Sequence, residues 1–197
     1  MRYTNQMVPK IHFMTKRLDF IRKLKKEKEM REILTMKEAI EQEIVKLGKN
    51  VKIKEGTVIG TDGFGYERNE KNELEKFPHF GNVIIQDYVD IGANCTIDRG
   101  NMHDTIIGKG TKIDNGVHIA HNVKIGKHCM IGPHSVLLGS CEVEDYTTIW
   151  TNVIVKEHVK IGSKVVVGAC SYVNHDVPSD TKVWGIPAKI DGRNSID

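Results

Sequence analysis

From Ile107 onward every sixth residue is aliphatic: Ile113, Ile119, Ile125, Ile131, Leu137, Val143, Ile149, Val155, Ile161, Val167 and Val173 follow without a miss. A short fixed repeat overrides local helix and strand propensities and sets the fold. The position after each aliphatic is often small (Gly108, Ala120, Gly126, Gly132, Gly162, Gly168), and the fifth is small or β-branched (Thr111, Val117, Val123, Ser135, Thr147, Val153). This is the hexapeptide signature of a parallel β-helix. Each hexapeptide gives one short strand and a tight turn, three close a triangular coil, and stacking buries what a single coil cannot. The phase also holds at Ile85, Ile91 and Ile97 and slips before Ile107, which places a loop near residues 99–103. Ile53 and Ile59 carry it further upstream, ahead of a polar excursion from Glu67 to Gly81. The expected fold is all-β, a parallel β-helix of about six coils with strands ~4.8 Å apart.

Met30, Ile33, Leu34, Ile40, Ile44 and Leu47 recur at helical spacing and end at Gly48, a C′ residue, so an N-terminal α-helical segment is expected to seal the first coil. The expected organisation is a basic helical segment over 1–50, the β-helix over 51–178, and a C-terminal tail over 179–197 carrying Gly185-Ile186-Pro187-Ala188-Lys189. Residues 1–50 hold 13 of the 29 Lys and Arg against 7 of the 26 Asp and Glu, so the net charge of +3 originates there. The run at residues 22–28 fits a solvated helix face, or a surface that meets an acidic protein, a nucleic acid or a membrane surface. An apolar content of 39% with 28% charged residues excludes disordered and fibrous classes. No apolar run approaches the ~18–20 residues of a membrane span, and the first residues lack a signal-peptide core, so the expectation is a cytoplasmic protein with no membrane span and no nucleic-acid partner. The four cysteines form no CxxC pair, which argues against a zinc ribbon or a dithiol site. Cys129 and Cys141 fall at fifth, inward positions, and no metal is expected.

Coil stacking converts steps of 18 residues into columns on the surface. His121, Gly139, Glu157 and His175 form one such column at third positions. An imidazole can act as general base, and a glycine in the next coil lets a substrate approach its backbone N–H, so the pair could deprotonate a nucleophile and hold an oxyanion. A surface histidine at a turn is the plainer reading of His121. Trp150, at a second position normally filled by a small residue, is either a ligand contact or a subunit contact.

Thr61-Asp62-Gly63-Phe64-Gly65-Tyr66, the run from Ile91 to Gly100, Asp104-Thr105, Lys112-Ile113-Asp114-Asn115 and Ile119-Ala120-His121-Asn122-Val123 together resemble the UDP-3-O-acylglucosamine N-acyltransferases of lipid A synthesis, over residues 53–187. The resemblance implies a homotrimer of left-handed β-helices that moves an acyl group from a thioester to the amine of an amino sugar, with the groove between subunits. It implies His121 as the catalytic base and Gly139, in Leu138-Gly139-Ser140, as the oxyanion donor. Asp62, Phe64, Tyr66, Asn122 and His158 become candidate substrate-binding residues, although Glu157 replaces the glycine that the family has before His158. The Gly-Ile-Pro-Ala-Lys ending resembles hexapeptide acetyltransferases that use coenzyme A and assigns Gly185, Pro187 and Lys189 to cofactor binding. The co-substrate is therefore coenzyme A or the phosphopantetheine thioester of acyl carrier protein, with no permanently bound cofactor. Two other readings are a trimeric zinc hydratase resembling the gamma carbonic anhydrases, for which no two histidines have the family's spacing of five, and a non-catalytic β-helix scaffold.

Overall fold

The computed structural model describes residues 39–40 and 42–193. Its coil is set by corners. At the fourth place of successive hexapeptides the backbone enters the left-handed region, at Asn122 (φ 63°), His128 (54°), His134 (58°), Ser140 (60°), Tyr146 (62°), Asn152 (57°) and His158 (62°). Each such residue other than glycine costs about 1–2 kcal/mol, and the ladder bonds and burial made on either side offset it. Between corners run two- or three-residue strands whose last residue points inward. All twelve aliphatics of the repeat are buried.

Three parallel sheets form the faces. The first contains Val45–Leu47, Val83–Ile85, Thr105–Ile107, Lys124–Ile125, Glu142–Val143 and Lys160–Ile161. The second runs from Lys52–Ile53 through Lys112–Ile113 and Met130–Ile131 to Val166–Val167, and the third from Val58–Asp62 through Thr96–Arg99 and His118–Ile119 to Tyr172–Val173. Register repeats every 18 residues: Ile113 pairs with Ile131 and Ile131 with Ile149, while Ile119 pairs with Leu137 and Leu137 with Val155. Fifth positions admit hydroxyls because the hydroxyl finds a carbonyl in the next coil, fifteen residues on. Thr111 Oγ1 donates to Gly126 O at 2.8 Å, Ser135 Oγ to Trp150 O at 2.9 Å and Thr147 Oγ1 to Gly162 O at 2.8 Å. Cys129 and Cys141 are fully buried at the positions expected, and burial pushes their thiols up to about 11 and about 12.

The expected helix does not reach Gly48. Val45–Leu47 is a strand on the first face, paired with Val83–Ile85, and Gly48 N donates to Ile85 O at 2.7 Å. Helical backbone is present at Ala39 and Ile40, and it closes in a Schellman motif: Glu43 turns at φ 58°, its N–H donates to Ile40 O, and Ile44 N–H donates to Ala39 O at 2.8 Å. Pairing with a later strand thus overrode the helical spacing of Ile44 and Leu47. The remainder of that expected helix, including Met30, Ile33 and Leu34, and the charged run at 22–28 lie outside the described residues.

Strand structure also continues past residue 178. Thr181–Gly185 pairs with Val166–Val167 and then, antiparallel, with Ala188–Arg193. The Gly-Ile-Pro-Ala-Lys segment is the turn of this terminal hairpin, and its Ile186–Pro187 bond is cis. Residues 65–78 group apart from the coil. They form an antiparallel hairpin, Tyr66–Arg68 against Leu74–Lys76, whose turn is held by Asn69 Oδ1 accepting from Lys71 N and Glu73 N.

Candidate active site

His118–Ile119 is a strand of the third face, and His121 follows two residues later, just before the Asn122 corner. Strand register places Arg99 one coil below it and Gly139 one coil above. Ser140 N donates to His121 O at 3.0 Å, and His158 N to Gly139 O at 3.1 Å, so the column inferred from 18-residue spacing is real through these coils. A Cβ placed on Gly139 would lie 2.7 Å from His121 Cε1 and 2.9 Å from its Nε2. Only glycine lets the imidazole sit there.

The ring's protonation pattern follows from its neighbour. Asn122 Oδ1 accepts from Asn101 N at 2.8 Å, and Asn122 Nδ2 donates to Asn101 Oδ1 at 2.8 Å, which fixes the orientation of the amide. The same Oδ1 lies 3.3 Å from His121 Nδ1, so the bond between them requires the proton on Nδ1. In the neutral ring the lone pair then lies on Nε2, beside Gly139. The geometry gives Asn122 the work of tying the 100–104 loop to the imidazole, aided by its own N–H donating to Thr105 Oγ1 at 2.9 Å.

Asp98, on the strand below, is buried and was not singled out by the sequence reading. Thr61 Oγ1 donates to its Oδ1 at 3.2 Å, and His118 Nε2 is 3.9 Å from its Oδ2. Burial raises its carboxyl above the usual range, with His118, Thr61 and His121 acting in the opposite direction. His79 was missed as well. It is 6% exposed, and its ring centroid is 5.6 Å from that of His121 at an interplanar angle of 71°. The stretch Ile97-Asp98-Arg99-Gly100 flagged Asp98 only as part of a motif. His79 sits outside the repeat phase and carried no signal.

The remaining candidates are dispersed. Asp62 pairs in register with Arg99 at the end of the third face. Phe64 is 89% exposed, and Tyr66 stands on the 65–78 hairpin. His158 occupies an exposed corner two coils above Asn122. Gly185 N donates to Ser171 Oγ at 3.1 Å, and Lys189 pairs with Trp184 in the terminal hairpin. Within one chain that hairpin closes the far end of the coil, between three and four coils or about 17 Å along the axis from His121. Trp150 and Trp184 are both exposed on the second face. Among the described residues no three His, Cys, Asp or Glu side chains converge on a metal-sized site, and no helix among them is long and apolar enough to cross a membrane.

Comparison with known proteins bears on the same region. A family model, "Bacterial transferase hexapeptide (six repeats)", matches residues 104–139. UDP-3-O-acylglucosamine N-acyltransferase from Methylobacterium nodulans is 49% identical over 143 residues, 73% of this chain and 40% of that protein. The enzyme of the same name from Methylobacterium sp. (strain 4-46) is 48% identical over the same shares. The chain thus spans about two fifths of the length of these relatives. Among solved structures, Francisella novicida UDP-N-acetylglucosamine acyltransferase superposes with a TM-score of 0.69 at 26% identity, covering 77% of this chain and 54% of the other. The Bacteroides fragilis enzyme gives a TM-score of 0.67 at 24% identity, covering 77% and 57%.

Proposed function

We propose, on the premise that this chain is a hexapeptide-repeat relative of the UDP-3-O-acylglucosamine N-acyltransferases, that it transfers an acyl group from a thioester to the amine of a nucleotide-linked amino sugar in lipid A or surface-polysaccharide synthesis. The observation that carries this reading is the His121 imidazole, with Nδ1 held by Asn122 and Nε2 against Gly139. The sugar amine attacks the thioester carbonyl carbon and a C–N bond forms. His121 Nε2 takes the amine proton, and the Gly139 N–H donates to the oxyanion. The C–S bond then breaks, and the proton passes to the departing thiolate. No covalent enzyme intermediate is required, and proximity of the two substrates supplies much of the rate.

Asp62, Phe64 and His158 bind the sugar and the acyl chain in this reading. Gly185, Pro187 and Lys189 meet the donor, whose extended pantetheine arm bridges the separation between the terminal hairpin and His121. The donor is coenzyme A or acyl carrier protein. The coil is left-handed, three chains assemble into a homotrimer, and the groove between adjacent subunits in the cytoplasm holds both substrates.

The test is turnover of the full chain with 3-hydroxyacyl donors on coenzyme A or carrier protein and UDP-linked amino sugars, read by mass spectrometry of the N-acylated product. His121→Ala is expected to lose about 10²–10⁴ in kcat with the oligomer intact by light scattering. A well-formed trimer inactive on every pair overturns the reading in favour of a scaffold.

A further inference from the structure

His79 reaches the site from a segment that is strapped in place. Phe80 N donates to Asn101 O at 2.7 Å, Gly81 N to Gly100 O at 3.0 Å, and Arg99 Nε to Gly81 O at 2.8 Å. These bonds join the residues after His79 to the 100–104 loop, which Asn122 ties to the coil of His121. The neighbouring backbone at Gly63 is shaped for two rings. A Cβ there would stand 3.0 Å from His121 Cδ2, 3.1 Å from His121 Cβ and 3.1 Å from His79 Nε2.

The imidazole of His121 is therefore enclosed edge by edge. Gly139 lies at Cε1 and Nε2, Asn122 Oδ1 at Nδ1, and Gly63 at Cδ2. None of these contacts sets the tilt of the ring plane: backbone atoms pack at its edges, and one hydrogen bond leaves it free to rock. A second ring at 5.6 Å and 71° does set it, since aromatic pairs hold an edge-to-face geometry over this distance. Burying a polar ring beside the site is costly where a plain apolar side chain would fill the space.

We propose that His79 is a positioning residue for His121, its ring packing edge-to-face to fix the plane in which Nε2 meets the substrate amine beside Gly139. Its effect on turnover rests on the acyltransferase reading; its effect on the ring does not.

The experiment therefore has a substrate-free arm. The full chain is labelled at histidine ring carbons and nitrogens, the His121 signals are identified by their loss in His121→Ala, and His79→Ala, His79→Phe and His79→Leu are compared with the parent. The expected result is a displaced His121 Cε1 and Nε2 signature in His79→Ala and His79→Leu that returns toward the parent in His79→Phe. In turnover, a misplacement of about 1 Å costs roughly 10²-fold, so kcat falls by that order in the first two, KM stays within about twofold, and His79→Phe recovers most of the rate. An unchanged His121 signature in His79→Ala overturns the proposal, as does His79→Leu matching His79→Phe. If His79→Ala fails to fold, the Phe and Leu variants decide alone. If the parent turns over no substrate while the ring signature follows this pattern, the acyltransferase reading fails and the positioning role stands.

Discussion

Gly139→Ala is the sharpest perturbation the site offers, because it adds one methyl group at a known place. Gly139 is not among the positive-φ glycines, so alanine fits the backbone without strain. The new Cβ would stand 2.7 Å from His121 Cε1, whereas carbon atoms rest at about 3.5 Å, so the ring must retreat by about 0.8 Å. His121 is half-buried, so it retreats toward solvent rather than into the core. The Gly139 N–H and the coil are retained. A displacement of this size costs roughly 10²-fold in rate, equivalent to about 2.7 kcal/mol of barrier. The expected result is kcat reduced about 10²-fold, KM for both substrates nearly unchanged, and an unfolding temperature within a few degrees of the parent. Initial rates from mass spectrometry of product, with calorimetry on the same preparation, measure both. Gly139→Ala should slow the His121→Ala variant by less than it slows the parent, since the methyl group then has no ring to displace and only crowds the approach to the Gly139 N–H. Parental kcat in Gly139→Ala with an intact fold would refute the confinement argument, and with it the pairing of His121 and Gly139 as base and oxyanion donor.

Burial raises the Asp98 carboxyl, so the folded chain binds a proton there that the unfolded chain has released, and stability falls as pH rises from the ordinary aspartate range through the folded-state value. Asp98→Asn, which preserves an oxygen for the Thr61 hydroxyl, is expected to raise the unfolding temperature at neutral pH and to flatten that part of the profile; a lower temperature there would contradict it. Cys129 and Cys141, pushed up to about 11 and about 12 and fully buried, should resist a thiol reagent at neutral pH, while exposed Cys170 reacts. Labelling of the native chain followed by peptide mapping checks this, and modification of either buried thiol without unfolding would disprove it.

The period of six in the sequence determined the coil, the inward set and the column that puts His121 under Gly139. It could do so because a solenoid translates the chain by a fixed step, so that sequence separation becomes spatial separation and each coil meets only its neighbours. Ile107 to Val173 and the thiols at fifth positions were legible for that reason. Where the step is interrupted, the translation is lost. The apolar spacing around Ile44 and Leu47 suits a helix, yet Val45–Leu47 became a strand because Val83–Ile85, nearly forty residues on, offered its free edge. The 100–104 loop reaches His121 through the paired amides of Asn101 and Asn122, and the segment after His79 is bonded to that loop. These placements depend on hydrogen bonds between residues at no fixed spacing, so the surroundings of the imidazole were decided by tertiary structure, while its position on the coil was set by the repeat.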